Sequence, residues 1–340
     1  MRKLLNTLYI TTPNAYLKKD ALNLVVEVDG TEALRLPIHN VEGVVTFSYL
    51  GASPGAMKLC VDNNVSLAFH TPQGRFIARA QGPTHGNVLL RTRQYHLAED
   101  TDFAVALARL IIAAKIQNYR NILRRAVRDN GPDTEIEHTA RRLERHKNDI
   151  LQADTPDSIR GIEGIAAAEY FAVLPHMILH QRDDFPFTGR IKHPPIGRVN
   201  TLLSFAYTLI SNEMTAALDS VGLDPYVGFL HTVRPGRASL ALDMMEELRA
   251  YLGDRLVLSL INRRQITPRD FIQQTEDSLL LNDNARKTII TTWQERKKTE
   301  ITHPYLNEKI PLGLLPHVQA KLMARYLRAD LDNYPPFIIR

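Results

Sequence analysis

Gln81-Gly82-Pro83-Thr84-His85-Gly86 divides the 340-residue sequence into two textures. Glycine and proline there stop both strand and helix, so the stretch reads as a hinge. On its N-terminal side, branched and aromatic residues gather in short runs separated by turn signals. Residues 9–12, 24–28, 34–36, 44–47, 65–67 and 75–80 read as strands, with Asp29-Gly30 and Pro72-Gln73-Gly74 as turns. Ser53-Pro54 interrupts them as N-cap and first residue of a short helix reaching Asp62. On the C-terminal side, apolar residues recur at helical spacing over 103–128, 134–152, 158–174, 201–221, 239–252 and 284–297. Gly131-Pro132 stops the first of these runs, and Asp133 or Thr134 caps the second. The expected fold is α+β: a small, mostly antiparallel β-rich domain over 1–86, hinged at 81–86, and a larger all-α domain over 87–340. No fixed-period repeat is present. The tail from Tyr326, with Pro335-Pro336, reads as an extension, ordered or floppy.

Length alone favours two domains, because single cores stop growing at about 250 residues. With 44% hydrophobic and 23% charged residues, and 17 Gly and 19 Pro dispersed along it, the chain is neither disordered nor collagenous. The longest apolar run, 103–114, is broken by Arg109 and falls short of the roughly 20 residues a membrane span needs. The start, Met1-Arg2-Lys3-Leu4-Leu5-Asn6, lacks a sustained apolar segment, so the expected location is the cytoplasm, with no membrane partner. The single cysteine, Cys60, excludes an internal disulfide and multi-cysteine metal centres, and its apolar neighbours suit a buried thiol. A net charge of +5 is compatible with nucleic acid without demanding it. Phosphate loop, Gly-x-Ser-x-Gly elbow, His-Glu-x-x-His and nucleotide-binding glycine fingerprint are all missing, which removes the common cofactor enzymes. Glu135 with His138 and Glu300 with His303 have di-iron spacing, but the first pair lies in a strongly charged stretch and Pro304 follows the second.

Three stretches carry chemistry. In Ser239-Leu-Ala-Leu-Asp243-Met-Met-Glu246-Glu247-Leu-Arg249, Ser239 is a candidate helix cap. Asp243 and Glu246 share one face beside the apolar stripe Leu240, Met244 and Leu248. Carboxylates at the edge of a core need a cation, either a divalent ion or an arginine such as Arg249. Val227-Gly228-Phe-Leu-His231, followed by Arg234-Pro-Gly236, places His231 where a loop delivers a side chain into a cleft. In Arg160-Gly161-Ile-Glu163-Gly164, followed by Ala166, Ala167 and Ala168, small residues let another helix or a nucleic-acid backbone approach Glu163. Ordinary helix packing, with Glu163 as a salt-bridge partner, is the alternative.

Gly-x-Glu-Gly, Gly-Phe-Leu-His and Leu-Asp-Met-Met-Glu-Glu-Leu-Arg, in that order, closely resemble the CRISPR-associated integrase, the adaptation nuclease that inserts new spacers into CRISPR arrays. Residues 47–54, 74–82, 86–90, 198–205 and the ending from Gln319 to Phe337 resemble its type I-C branch. The resemblance runs almost end to end. It implies a β-rich N-terminal domain and a helical catalytic domain. It also implies a homodimer joined through the β domains, and a complex with DNA and a small second adaptation protein. Matched residue by residue, the family's metal ligands fall on Glu163, His231 and Glu246. Asp243 matches a nearby second acid of the catalytic set, and Arg234 a basic residue three after the histidine.

One imidazole and two carboxylates form a hard site suited to Mg²⁺ or Mn²⁺. Such an ion would activate a hydroxyl for attack on a phosphodiester without any protein nucleophile. Arg160, Arg120, Arg124, Arg125 and Arg128, and the run Arg141, Arg142, Arg145 and Lys147, offer phosphate contacts, or else form a solvated face. Three functions remain open: a metal-dependent DNA integrase, a metal nuclease that uses water, and a non-catalytic DNA-binding scaffold.

Overall fold

The computed structural model describes residues 7–71, 76–82, 88–191, 194–274 and 279–339. The turn expected at 72–74, Arg75, and the hinge residues 83–86 with Asn87 lie outside the described residues. In chain order the N-terminal region holds β1 (Thr7–Ile10), β2 (Ala15–Asp20), β3 (Asn23–Val28), β4 (Thr31–Pro37), β5 (Gly43–Thr46), α1 (Pro54–Asp62), β6 (Ser66–His70) and β7 (Phe76–Ala80).

Strands β2, β3 and β4 form an antiparallel meander. Asp29 and Gly30, at φ 50° and 79°, make the tight turn between β3 and β4 that positive φ at both positions allows. The second sheet has the order β1-β5-β6-β7, with only β6 and β7 antiparallel. Its β1/β5 and β5/β6 pairs are parallel, a departure from the expected arrangement. The reason is the connections: the whole meander separates β1 from β5 and α1 separates β5 from β6, and each is long enough for a crossover. Ser53 caps α1 by accepting from Ala56 N, as its sequence indicates. Strand β2 was not anticipated, because Lys18-Lys19-Asp20 hides the alternation that buries Ala15 and Leu17.

The rest of the chain is helical: α2 (Val88–Glu99), α3 (Thr101–Asn130), α4 (Thr134–Gln152), α5 (Pro156–Ala172), α6 (Arg198–Ser220), α7 (Ser239–Leu248), a π-helical turn (Arg249–Asp254) and α8 (Arg255–Asn262). After these come β8 (Phe271–Gln273), β9 (Leu279–Leu281), α9 (Asp283–Lys297), β10 (Glu300–Thr302), β11 (Lys309–Pro311) and α10 (Leu315–Leu327). Gly131, at φ 99°, ends α3, and Asp133 caps α4 by accepting from Ile136 N. The short β8/β9 and β10/β11 hairpins are additions to an otherwise helical region. Glu300 stands in one of them, off any helix, and His303 follows it, bonded to Gln319.

A small core fills the β-rich region and a large one runs through the helices. Val45 and Phe47 belong to the large core, and Phe47 stacks on Phe205 of α6 at 6.2 Å. Arg79 pairs with Asp219, and the Asn212 amide bonds His70, which joins β7 and β6 to the same helix. The tail is ordered. Asn118 of α3 donates to the carbonyls of Glu247 and Phe337 at 2.7 and 2.8 Å and accepts from Ile339 N at 2.8 Å. Tyr334 and Phe337 are thereby held in the large core. Among the described residues, no helix is long and apolar enough to cross a membrane.

Candidate active site

The loop before α7 lies directly on that helix at Gly228. A Cβ there would come within 2.5 Å of Asp243 Oδ2 and 2.7 Å of the Ser239 carbonyl carbon, so only glycine fits. Close approach lets the fully buried Asp243 carboxylate accept from three successive backbone N–H groups. These are Phe229 at 2.6 Å, Leu230 at 3.0 Å and His231 at 2.9 Å. Its Oδ1 also lies 2.7 Å from His231 Nδ1. A carboxylate oxygen accepts, so Nδ1 is the donor in this contact, and in the neutral ring Nε2 is left for a ligand. Ser239 does not cap α7 with its side chain. The residue is buried and its hydroxyl donates back to the Thr232 carbonyl at 3.3 Å, because the loop folds over the helix start.

One turn further on, Glu246 meets two cations. Arg249 Nη2 stands 2.9 Å from its Oε1 and Lys115 Nζ stands 2.7 Å from its Oε2. Lys115 reaches in from α3 and also pairs with Glu163 of α5. Burial pushes the Glu246 carboxyl up, but Arg249, Lys115 and His231, in that order, pull it down to about 2. Glu246 Oε2 thus faces the Lys115 ammonium inside the protein, with no other donor beside it among the described residues. Arg249 begins the π-helical turn and lies over the Tyr207 ring at 4.7 Å. Tyr207 donates to the buried Asp254 at 2.5 Å, which fixes the far end of that turn.

Of the candidate ligands, the structure thus brings Glu163 and Glu246 onto one ammonium, while His231 is held against Asp243. Asp243 stands behind His231, its oxygens committed to the loop. Among the described residues, no three of His, Cys, Asp and Glu stand close enough to hold a metal ion as they are. The donor types nonetheless suit a hard divalent cation: two carboxylates and an imidazole.

Gly161 and Gly164 face open space, since a Cβ on either would meet nothing within 4 Å. No other helix packs there, so the surface beside Glu163 is bare. A cleft of about 1230 Å³ opens between β7, α6 and the loop before α7, lined by His231, Arg234, Arg237 and Arg249. Among the described residues, Arg234 and Arg237 pair with no acid. The other arginines expected to touch phosphate lie elsewhere. Arg160 pairs with Asp157, Arg125 and Arg128 with Asp129, and Arg120 with Glu144, while Arg124 is exposed. Lys115, Arg190 and Arg237 were not singled out in the sequence. Lys115 looks like one polar interruption of an apolar helix, and only contact between α3, α5 and α7 shows what it neutralises.

The fold and site define a class: a β-rich module followed by a helical domain in which acids from two helices share a buried lysine and a loop histidine lines a basic cleft. Residues 8–295 match the family model "CRISPR associated protein Cas1". A relative from Chlorobaculum tepidum, "CRISPR-associated endonuclease Cas1 1", is 46% identical over 343 residues, spanning 100% of both chains. The chain belongs to the Cas1 family. A structure described as "Casposase bound to integration product" shares the fold, with TM-score 0.83 and 20% identity over 97% of this chain and 92% of that one. So does one from a "Cas6-RT-Cas1--Cas2 complex", with TM-score 0.84 and 22% identity over 99% of this chain and 36% of that one.

Proposed function

We propose that this chain is a divalent-metal-dependent DNA integrase and endonuclease of the type I-C branch. It inserts captured spacer DNA into a CRISPR array by attack of a 3′-OH on a phosphodiester. The observation that carries the reading is the Glu163 and Glu246 pair held on one cation, with Asp243 orienting the His231 imidazole on the neighbouring loop. The near-half identity to a protein named as an endonuclease supports it. So does the fold shared with a casposase seen with its integration product.

Glu163, His231 and Glu246 would hold Mg²⁺ or Mn²⁺. The ion, once bound, activates the attacking hydroxyl and neutralises charge on the phosphodiester. Asp243 acts as a positioning residue, keeping the Nδ1–H tautomer and aiming Nε2. Arg234 and Arg237 bind backbone phosphate from the cleft wall, and the bare surface at Gly161 and Gly164 admits the duplex close to Glu163. The matched motifs offer no covalent nucleophile, since Ser239 is sealed in the core, and burial pushes the Cys60 thiol up to about 12. The attacking group therefore comes from substrate or solvent. A bound 3′ end has the advantage of a large effective concentration.

In this reading the protein works in the cytoplasm as a homodimer with a small second adaptation protein. A fold neighbour in a complex that contains Cas2 supports the second partner. The exposed edge strand β4 supports pairing through the β-rich regions. A monomer mass for the intact protein in solution would refute the dimer.

The reaction is tested by incubating the protein, its small partner and Mn²⁺ with labelled duplex bearing free 3′-OH ends and a supercoiled plasmid carrying the repeat. Label joined covalently to the plasmid is the expected product. Identical nicking by 3′-OH and 3′-blocked ends, without joined label, assigns the site to hydrolysis alone. No Mn²⁺-dependent phosphodiester chemistry at all leaves a DNA-binding scaffold.

A further inference from the structure

Lys115 presents an electrostatic problem. Its side chain is 2% exposed and its ammonium touches two carboxylates, those of Glu163 and Glu246, with the Tyr119 ring at 5.7 Å. Arg249 holds the other oxygen of Glu246. Two carboxylates and two side-chain cations already neutralise one another in a site nearly closed to water. A divalent cation added to that set would leave two uncompensated positive charges in a medium of low dielectric, where each costs far more than in water. It would also find the facing oxygens of Glu163 and Glu246 taken up by the ammonium.

Lysine, unlike arginine, can leave such a position easily. It carries a compact charge on a flexible four-carbon stem and has no planar fork to break. The Glu163 side is the more open end of the site, its side chain 29% exposed against 4% for Glu246. Arg249 differs: it is stacked on Tyr207 and anchored in the π-helical turn, so it stays.

We propose that Lys115 is the resident counter-ion of the Glu163 and Glu246 pair in the metal-free protein, and that divalent-cation binding displaces it toward the Glu163 side. This rests on the reading of Glu163, His231 and Glu246 as metal ligands. Its consequence is that the acids stay assembled before metal arrives, at the cost of weaker metal affinity.

Two measurements on the intact protein without DNA test it, both with Mn²⁺ as the probe. In the first, calorimetric titration compares wild type with Lys115→Met. The variant should bind Mn²⁺ at least about tenfold more tightly, since it no longer has to expel a charge. It should also melt lower than wild type in EDTA and regain stability in Mn²⁺. Equal or weaker Mn²⁺ binding overturns the proposal. The second needs no variant. Amine acetylation read by mass spectrometry should find Lys115 protected in EDTA relative to Lys298, whose side chain is 68% exposed. Saturating Mn²⁺ should raise the Lys115 rate severalfold and leave Lys298 unchanged. Lys115 still protected while Mn²⁺ is bound overturns displacement and leaves the ligand reading standing. Wild type and variant that both take up no Mn²⁺ overturn the ligand reading, and this inference with it.

Discussion

Glu246 and Glu247 are adjacent on α7 and both are buried, yet their surroundings drive their carboxyl groups in opposite directions. On the Glu246 side, burial is outweighed by Arg249, Lys115 and His231, and the group is held at about 2. On the Glu247 side there is no cation. Burial dominates, only partly offset by bonds from Tyr334 at 2.7 Å, Gln319 at 2.8 Å and Phe337 N at 2.8 Å, and the group rises to about 7. Helix α7 thus presents a permanently charged face to the candidate site and a structural face to the C-terminal tail. Burial by itself does not decide the charge state of an acid; the partner does.

The largest expected effect breaks the site side. Glu163→Ala, His231→Ala or Glu246→Ala should abolish strand joining and nicking while DNA binding, measured by gel shift, stays within about threefold, because phosphate contacts elsewhere supply the affinity. Wild-type activity in all three variants would refute the site. Next, Asp243→Asn should lower activity about 10- to 100-fold, as changing the orienting partner of a ligand histidine does. It removes one acceptor from the group that fixes residues 229–231. Gly228→Ala should act the same way by forcing the loop off α7. A near-normal circular dichroism spectrum with lost activity separates both from global unfolding.

On the tail side, Asn118→Ala should cost about 1–3 kcal/mol for each buried group it leaves unpaired, read as a lower denaturant midpoint. The activity deficit should be smaller than for any site variant. Glu247→Gln sharpens the comparison through pH. Because the folded pKa of about 7 lies above the ordinary 4.5, the folded state holds its proton longer than the unfolded chain, so this group's contribution to stability falls as pH rises from about 4.5 to 7. Glutamine lacks that loss. The melting temperature of the variant relative to wild type should therefore climb across that window; a flat difference would show that Glu247 is already ionised. The smallest effect is Gly164→Ala, which should stabilise α5 by about 1 kcal/mol with no clash, since the added methyl meets open space. A bulky Gly164→Trp should leave stability similar and weaken DNA joining.

The boundaries of α3 and α4 were readable because Gly131, Pro132 and Asp133 act through their own backbone chemistry, and the structure caps both helices there. Ser239 misled for the converse reason. Its position before an apolar helix suits a cap, but the loop that Gly228 presses onto α7 takes its hydroxyl instead. The strand β2 and helices α2, α8 and α10 were not read. Lys18-Lys19 masks β2, and the other three lie in stretches whose apolar residues answer to tertiary neighbours more than to a clean local period.

Sequence by itself determined the order of a β-rich region before a helical one and the buried cysteine, and it held enough of the family's pattern to be matched to it. Turns, caps and side-chain periodicity act over a few residues, and a motif is a string. Tertiary structure decided what those residues face. It made two strand pairs parallel, turned Asp243 to the histidine loop, and put Lys115 of α3 against acids 48 and more positions away. It also made Gly161 and Gly164 a bare surface and gave neighbouring glutamates opposite charge behaviour. Those outcomes depend on Coulomb energy, desolvation and contact between distant segments, which no local pattern of residues encodes.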